Sequence, residues 1–264
     1  LKAQCQLGKT NGVIVHVCFF DGVELRDQGG ASYGYNNSFW NPSNQTQAFY
    51  PAGYYGDGSG AFYRLADFNN NTGIGYYQKR LIDKTCSELA SYDNVFFEVG
   101  NELISSDAAW YTAAINYIKL HTSKPVTQCG GGGGQLTSDG YSDHVADTVA
   151  QLKTYVASFV GHGHPGWVDP DGSQIGYLDA DGQRRCMWYS FAGGAAAYGG
   201  FTTDFWTWPT NPPPGFNAAR GTYCKNLQDF ISATGVPFGT MIPQGSLLVS
   251  NSSVNLCLAS QGSN

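Results

Sequence analysis

The chain has 264 residues, enough for one large α/β domain or two small ones with roughly three quarters of the unfolded surface buried. Its 14 Lys and Arg stand against 20 Asp and Glu, and the net charge of -6 with a pI near 5.2 argues against a phosphate-backbone partner such as nucleic acid. No apolar run reaches the ~18 residues of a membrane span, and no leader is visible in a chain that begins at Leu1 and therefore reads as a mature or partial product.

In chain order, Leu1 to Lys9 reads as the end of a helix closed by Asn11-Gly12, and the apolar run Val13 to Phe20 as a buried strand. The next stretch, about Asp21 to Asn71, is rich in Gly, Asn, Tyr and Ser without helical period; loops of that size usually carry function. Ile74, Tyr77, Leu81, Ile82, Thr85 and Leu89 recur at helical spacing, and Asp93-Asn94 turns into strand Val95 to Val99. Ser106 or Asp107 can cap a helix through Trp110, Ala114, Ile115 and Ile118, which stops before Pro125 and leads to strand Val126 to Cys129. A helix from Ser142 to Tyr155, a strand Ala157 to Val160, a Gly/His/Pro loop, a strand Ile175 to Leu178, a helix from Arg184 to Phe191 and a strand near Ala195 to Gly199 follow. After the Trp- and Pro-rich loop Phe201 to Phe216, Tyr223, Leu227, Phe230 and Ile231 mark one face of a helix from Ala218 to Thr234.

Strands alternating with helices predict an α/β fold with a parallel sheet. Read as a (β/α)8 TIM barrel, the six predicted strands begin at the third, so the chain lacks its first two; a doubly wound open sheet of six strands is the rival reading. The barrel would span residues 1–250, leaving 251–264 as a tail.

Charged residues are only 13% while aromatics reach 14% and Gly numbers 35, so the surface is largely neutral polar and aromatic. Sugars, with flat apolar ring faces edged by hydroxyls, match such a surface. The seven cysteines show no CxxC pair and no metal-ligand spacing. Sequons at Asn36, Asn44, Asn70 and Asn251 would carry N-glycans if a eukaryotic cell exports the chain.

Glu occurs only four times, at Glu24, Glu88, Glu98 and Glu102. Glu98 and Glu102 share strand parity, but about 13 Å along a strand separates them, too far for a catalytic pair. Glu102 sits just past the strand's carboxyl end, where barrel enzymes place their chemistry and where a partly desolvated carboxyl can donate a proton.

The run Asp93-Asn94-Val95-Phe96-Phe97-Glu98-Val99-Gly100-Asn101-Glu102 resembles the fourth-strand signature of clan A glycoside hydrolases, the cellulase-like barrels often followed by a β-sandwich. Phe19 to Leu25, which includes Glu24, is similar to the third-strand rim, Trp40-Asn41-Pro42 to the loop after it, Leu227 to Pro243 to the eighth helix, and the tail Cys257 to Ser260 to the start of that sandwich. The resemblance implies that Glu102 is the acid/base and that Asn101 contacts the sugar's 2-hydroxyl. Such enzymes normally carry a second Glu after the seventh strand, yet none follows Glu102; Asp181, or else Asp179, is expected to serve.

His162 and His164 close the predicted sixth strand and are expected to bind sugar hydroxyls; no third ligand gives them metal-site spacing. Trp40, Trp167, Trp206 and Trp208 fall in predicted loops as stacking candidates, and Gly130 to Gly134 lacks the Lys and Ser/Thr of a phosphate loop. The sequence thus predicts an exported, secreted or periplasmic glycosidase cleaving O-glycosidic bonds of a polysaccharide or oligosaccharide with retention, using no cofactor or metal. The alternatives are a carbohydrate-binding or structural protein on a degenerate barrel, and a metal hydrolase built on His162 and His164.

Overall fold

The computed structural model describes residues 1–25, 38–41, 44, 62–103, 108–129, 137–143, 149–158, 165–168, 180–198, 216–243 and 258–260. The chain divides into two compact units, Leu1–Tyr141 and Ser142–Asn264.

In the first unit helix α1 (Lys2–Thr10) ends at Asn11, whose backbone and side-chain N–H groups both reach the Leu7 carbonyl, and Gly12 takes the positive φ of 68° that turns the chain into strand β1 (Val15–Cys18). The Asn94 amide donates to the carbonyls of Cys5 and Val13, tying the middle of α1 and the turn before β1 to the start of β2. Helices α2 (Gly22–Leu25), α3 (Leu65–Asn70) and α4 (Gly73–Leu89) lead to strand β2 (Val95–Glu98), and α5 (Ala108–His121) to strand β3 (Val126–Cys129). β1 pairs parallel with β2 in the register Val15↔Val95 to Cys18↔Glu98, and β2 pairs parallel with β3 through Phe97↔Val126 and Glu98↔Thr127.

That register sorts side chains by period two. Val15, Val17, Val95, Phe97 and Val126 join the core that α4 and α5 cover, while His16, Cys18, Phe96, Glu98 and Thr127 share the opposite face. Trp110 of α5, 0% exposed, centres the core, with the rings of Phe20, Phe62, Tyr63, Phe68 and Tyr111 5.2 to 5.9 Å from its own. Its indole N–H points to the Gln78 side-chain carbonyl, and the Gln78 amide donates to the Phe62 carbonyl, so the buried polar atoms are matched.

The corner between α3 and α4 rests on Asn71 in the left-handed region and on Gly75, where a Cβ would stand 2.4 Å from Asp67 and Phe68 backbone atoms. Backbone cannot swing aside as a side-chain tip can. Gly75→Ala is therefore expected to destabilise the protein by about 1–2 kcal/mol despite the roughly 1 kcal/mol that Ala gains in helix propensity. A denaturant melt checks this, with unchanged stability as the contrary result.

The second unit contains α6 (Val149–Ser158), β5 (Gly166–Val168), α7 (Ala180–Ala192), β6 (Ala197–Tyr198), α8 (Phe216–Thr234), a 3-10 turn (Phe238–Thr240), β7 (Met241–Pro243) and β8 (Leu258–Ser260); β4 (Gly140–Asp143) falls at the division between the units. β5 and β6 are parallel through Trp167↔Ala197 and Val168↔Tyr198, with the Ala196 N–H on the Gly166 carbonyl. β7 and β8 are antiparallel.

Several expectations are corrected. The stretch expected to be irregular holds α2 and α3, and Ser142 lies in β4 while the helix expected to start there begins at Val149. Ala157 and Ser158, expected in a strand, continue α6, because a short apolar run at a helix end has no period of its own. The expected Gly/His/Pro loop contains β5, and α7 starts at Ala180, before Arg184. The predicted strand Ile175 to Leu178 lies outside the described residues.

Candidate active site

The pairing of β1 with β2 outlasts both strands. The Phe19 N–H donates to the Glu98 carbonyl, Asn101 N–H to Phe20, and Gly22 N–H to Asn101, with Asp21 and Asn101 forming an isolated parallel bridge. The carboxyl ends of two parallel strands are thus fastened to each other where the motif Asn101-Glu102 leaves β2.

Asn101 is held from both sides. Its amide donates to the Asp21 carboxylate at 3.3 Å, and its side-chain oxygen faces the Cys129 thiol, at the end of β3, at 3.5 Å. Just beyond, Leu103 is buried and folds back on Gly100, where a Cβ would stand 2.3 Å from Leu103 Cδ1. The chain must therefore reverse between Asn101 and Leu103, and Glu102 takes φ 45°, a left-handed conformation that a non-glycine residue adopts at some cost in energy. Close passage also explains Gly22, whose Cβ would stand 2.1 Å from the Glu102 carbonyl oxygen.

Beside this junction lies a cavity of about 320 Å³ walled by Cys18, Asp21, Glu24, Asn101 and the rings of Phe19, Phe20, Phe39 and Trp40. Burial, then the Asp21 charge, raises the Glu24 carboxyl above its ordinary range. Desolvation and the hydrogen-bonded Glu98 carboxylate push the Cys18 thiol up.

Under the cavity Glu98, 4% exposed, lies 3.3 Å from His16 Nε2, which is also 3.3 Å from the Thr127 hydroxyl; that hydroxyl donates to the Phe97 carbonyl. Stacked on Phe96, His16 is lowered to about 4 by burial. The unfolded chain would protonate it near 6.5, so the contribution of neutral His16 is whole above pH 6.5 and is lost as pH falls toward 4. Urea denaturation from pH 7 to pH 4 is expected to show this fall, and His16→Gln to flatten it; equal slopes in the two would refute the assignment.

Of the residues expected from sequence, Glu24, Trp40 and Asn101 share the cavity wall and Glu102 follows Asn101, although Glu102 itself does not line the cavity. Trp40 is no free platform: only 4% exposed, it packs on Phe20, Phe39 and Phe62 and leaves only a small part of its surface to the cavity. Asn41 is buried, with its backbone N–H on the Ser38 carbonyl, and stands off the wall. Trp167, expected in a loop, is a β5 residue. Asp181 sits in the first turn of α7 with its side chain 52% exposed and accepts from Arg184 at 2.9 and 2.7 Å, with Arg185 at 3.5 Å; the Arg184 guanidinium holds its carboxyl below the usual range. Asp179, His162, His164, Trp206 and Trp208 lie outside the described residues. Asp21, Cys18 and Phe39 were not singled out as site residues, and the nearest signal for Asp21 was its place in the third-strand rim motif. Among the described residues no group of three or more His, Cys, Asp or Glu converges on a metal-sized point, and no helix is long and apolar enough to cross a membrane.

Parallel strands joined by helices, with the distinctive residues at the strands' carboxyl ends, place the chain in the α/β class of (β/α)8 type. Its architecture is similar to a crystal structure of a glycoside hydrolase family 5 protein from Bacteroides vulgatus ATCC 8482, with TM-score 0.51 and 12% identity over 94% of this chain and 67% of that one. Another glycoside hydrolase gives TM-score 0.49 at 12% identity over 94% and 69%, and a GH113 beta-1,4-mannanase 0.45 at 12% over 83% and 76%. No family model and no curated protein sequence matches the chain. The likeness to barrel glycoside hydrolases read from the Asn101-Glu102 motif is thus met at the level of the fold.

Proposed function

We propose that the protein is a glycoside hydrolase acting on a polysaccharide or oligosaccharide, with Glu102 as proton donor to the leaving glycosidic oxygen and Asn101 as a ligand to the adjacent sugar hydroxyl. The observation carrying this reading is the backbone of Glu102, held left-handed at the carboxyl end of β2 beside a cavity of carboxylates and aromatic rings. Strained conformations of this kind collect at working sites, where surrounding structure compels them. After the bond breaks, the same carboxylate would take a proton from water in a retaining cycle. Asp181 or Asp179 supplies the second carboxylate in this proposal; the arginines that keep Asp181 ionised suit a nucleophile, which must be charged to attack.

The same ion pairs favour a second reading. A carboxylate held by Arg184 and Arg185 at a helix start has a sufficient structural role, and no Glu follows Glu102, so a carbohydrate-binding protein without turnover fits as well. Reducing-end release from a panel of polysaccharides by wild type and Glu102→Gln separates the two. Turnover lost in the variant supports the enzyme; sugar binding by calorimetry with no turnover in either supports the binder; equal turnover in both removes Glu102 from the mechanism.

A further inference from the structure

The second unit holds a cavity of about 490 Å³ between α7 and α8, within the range that takes small organic molecules. Met187, Ser190 and Phe191 face it from one helix and Cys224, Leu227 and Ile231 from the other, each set at the spacing of one helical face. Its wall is mostly hydrocarbon and thioether. Burial raises the Cys224 thiol above its ordinary range, as befits an apolar setting.

Ser190 breaks that pattern. It is 1% exposed, and its hydroxyl has no hydrogen-bond partner among the described residues, although the residue's carbonyl accepts the Ala195 N–H at 2.9 Å. An unmet buried hydroxyl costs on the order of 1–3 kcal/mol, which a ligand supplying one hydroxyl would recover. Gln228 and Ser232 furnish the other polar side chains of the wall, and among the described residues no Lys, Arg, His, Asp or Glu lines it. A neutral occupant suits such a wall, which offers no counter-charge among its described residues.

We propose that this cavity is a binding site for a neutral aliphatic molecule bearing a single hydroxyl, its tail against Met187, Leu227 and Ile231 and its hydroxyl on Ser190 Oγ. The site shares α7 with Asp181 but uses none of the hydrolytic residues proposed above, and it stands or falls without them.

The chain has two methionines, Met187 on the wall and Met241 in β7. The full chain labelled with 13C-methyl methionine reads occupancy directly, with Met187→Leu assigning the two signals. Titration with 1-octanol is expected to move the Met187 methyl saturably and leave Met241 in place, and octanoate to bind at least about tenfold more weakly. Ser190→Ala should weaken octanol binding roughly 2- to 10-fold while leaving the free protein at least as stable as wild type, because the hydroxyl removed has no partner to lose. Ala195→Leu, which adds bulk on the wall, should abolish the saturable shift; where it does not fold, Ser190→Ala decides alone. No saturable movement of Met187, both methyls moving alike, octanoate binding as well as octanol, or wild-type affinity in Ser190→Ala would each overturn the proposal.

Discussion

On the proposed reading, Glu102→Gln is expected to cut kcat on a polysaccharide substrate by about 10²- to 10⁴-fold, the usual share of a positioned acid/base, with KM nearly unchanged and the melting temperature kept. Gln reproduces the shape of the side chain and accepts the same φ of 45° as badly as Glu, so stability does not confound the result. Glu102→Asn sharpens the test. Asn visits the left-handed region far more readily than Glu, so this variant should match or exceed wild-type stability while losing activity as fully as Glu102→Gln. Gain in one and loss in the other is what strain kept for function produces. If both variants hydrolyse at the wild-type rate, the left-handed turn is merely the way the chain reaches buried Leu103.

The frame of the first unit was legible because its elements are long enough to show a period. Ile74, Ile82 and Leu89 announce a helix that runs from Gly73 to Leu89, and Val95 to Glu98 follows an Asp-Asn turn. Short elements were not legible: the three residues of β5 and the six of α3 are set by what they pack against, and no periodicity fits in so few residues. The candidate site divides in the same way. Asn101 and Glu102 stand out as a local motif, whereas Asp21 and Cys129 meet Asn101 only through the registers of β1, β2 and β3, a long-range property. Trp40 shows a further limit: a Trp in a polar, Gly-rich loop reads as a stacking platform, and only coordinates reveal Phe20 and Phe62 against its ring. Asp181 read in sequence as a rim carboxylate ahead of a helix expected from Arg184; the helix instead starts at Ala180, which puts Asp181 in its first turn beside Arg184 and Arg185.

Gly22→Ala should be the most damaging change that touches no functional side chain. The added methyl would lie 2.1 Å from the Glu102 carbonyl oxygen, 2.5 Å from its carbon and 2.9 Å from the Asn101 oxygen, all backbone atoms. Neither partner has room to retreat. The Gly22 N–H is bonded to Asn101 at 2.7 Å, Asn101 N–H to Phe20 at 2.9 Å, and Leu103 is anchored in the core. The strain should cost about 1–3 kcal/mol and push the Asn101-Glu102 peptide off its place, and a shift of about 1 Å in a catalytic group can cost on the order of 10² in rate. Gly12→Ala is the matched control: its positive φ also strains an alanine, but its Cβ meets nothing within 4 Å. The comparison is kcat/KM measured against the denaturation midpoint in both variants. A loss of rate in Gly22→Ala beyond that of a Gly12→Ala protein of equal stability ties the reaction to the Glu102 backbone. If the two lose activity only in proportion to stability, the close passage of α2 under Glu102 is a packing detail, and the catalytic assignment of Glu102 loses its structural support.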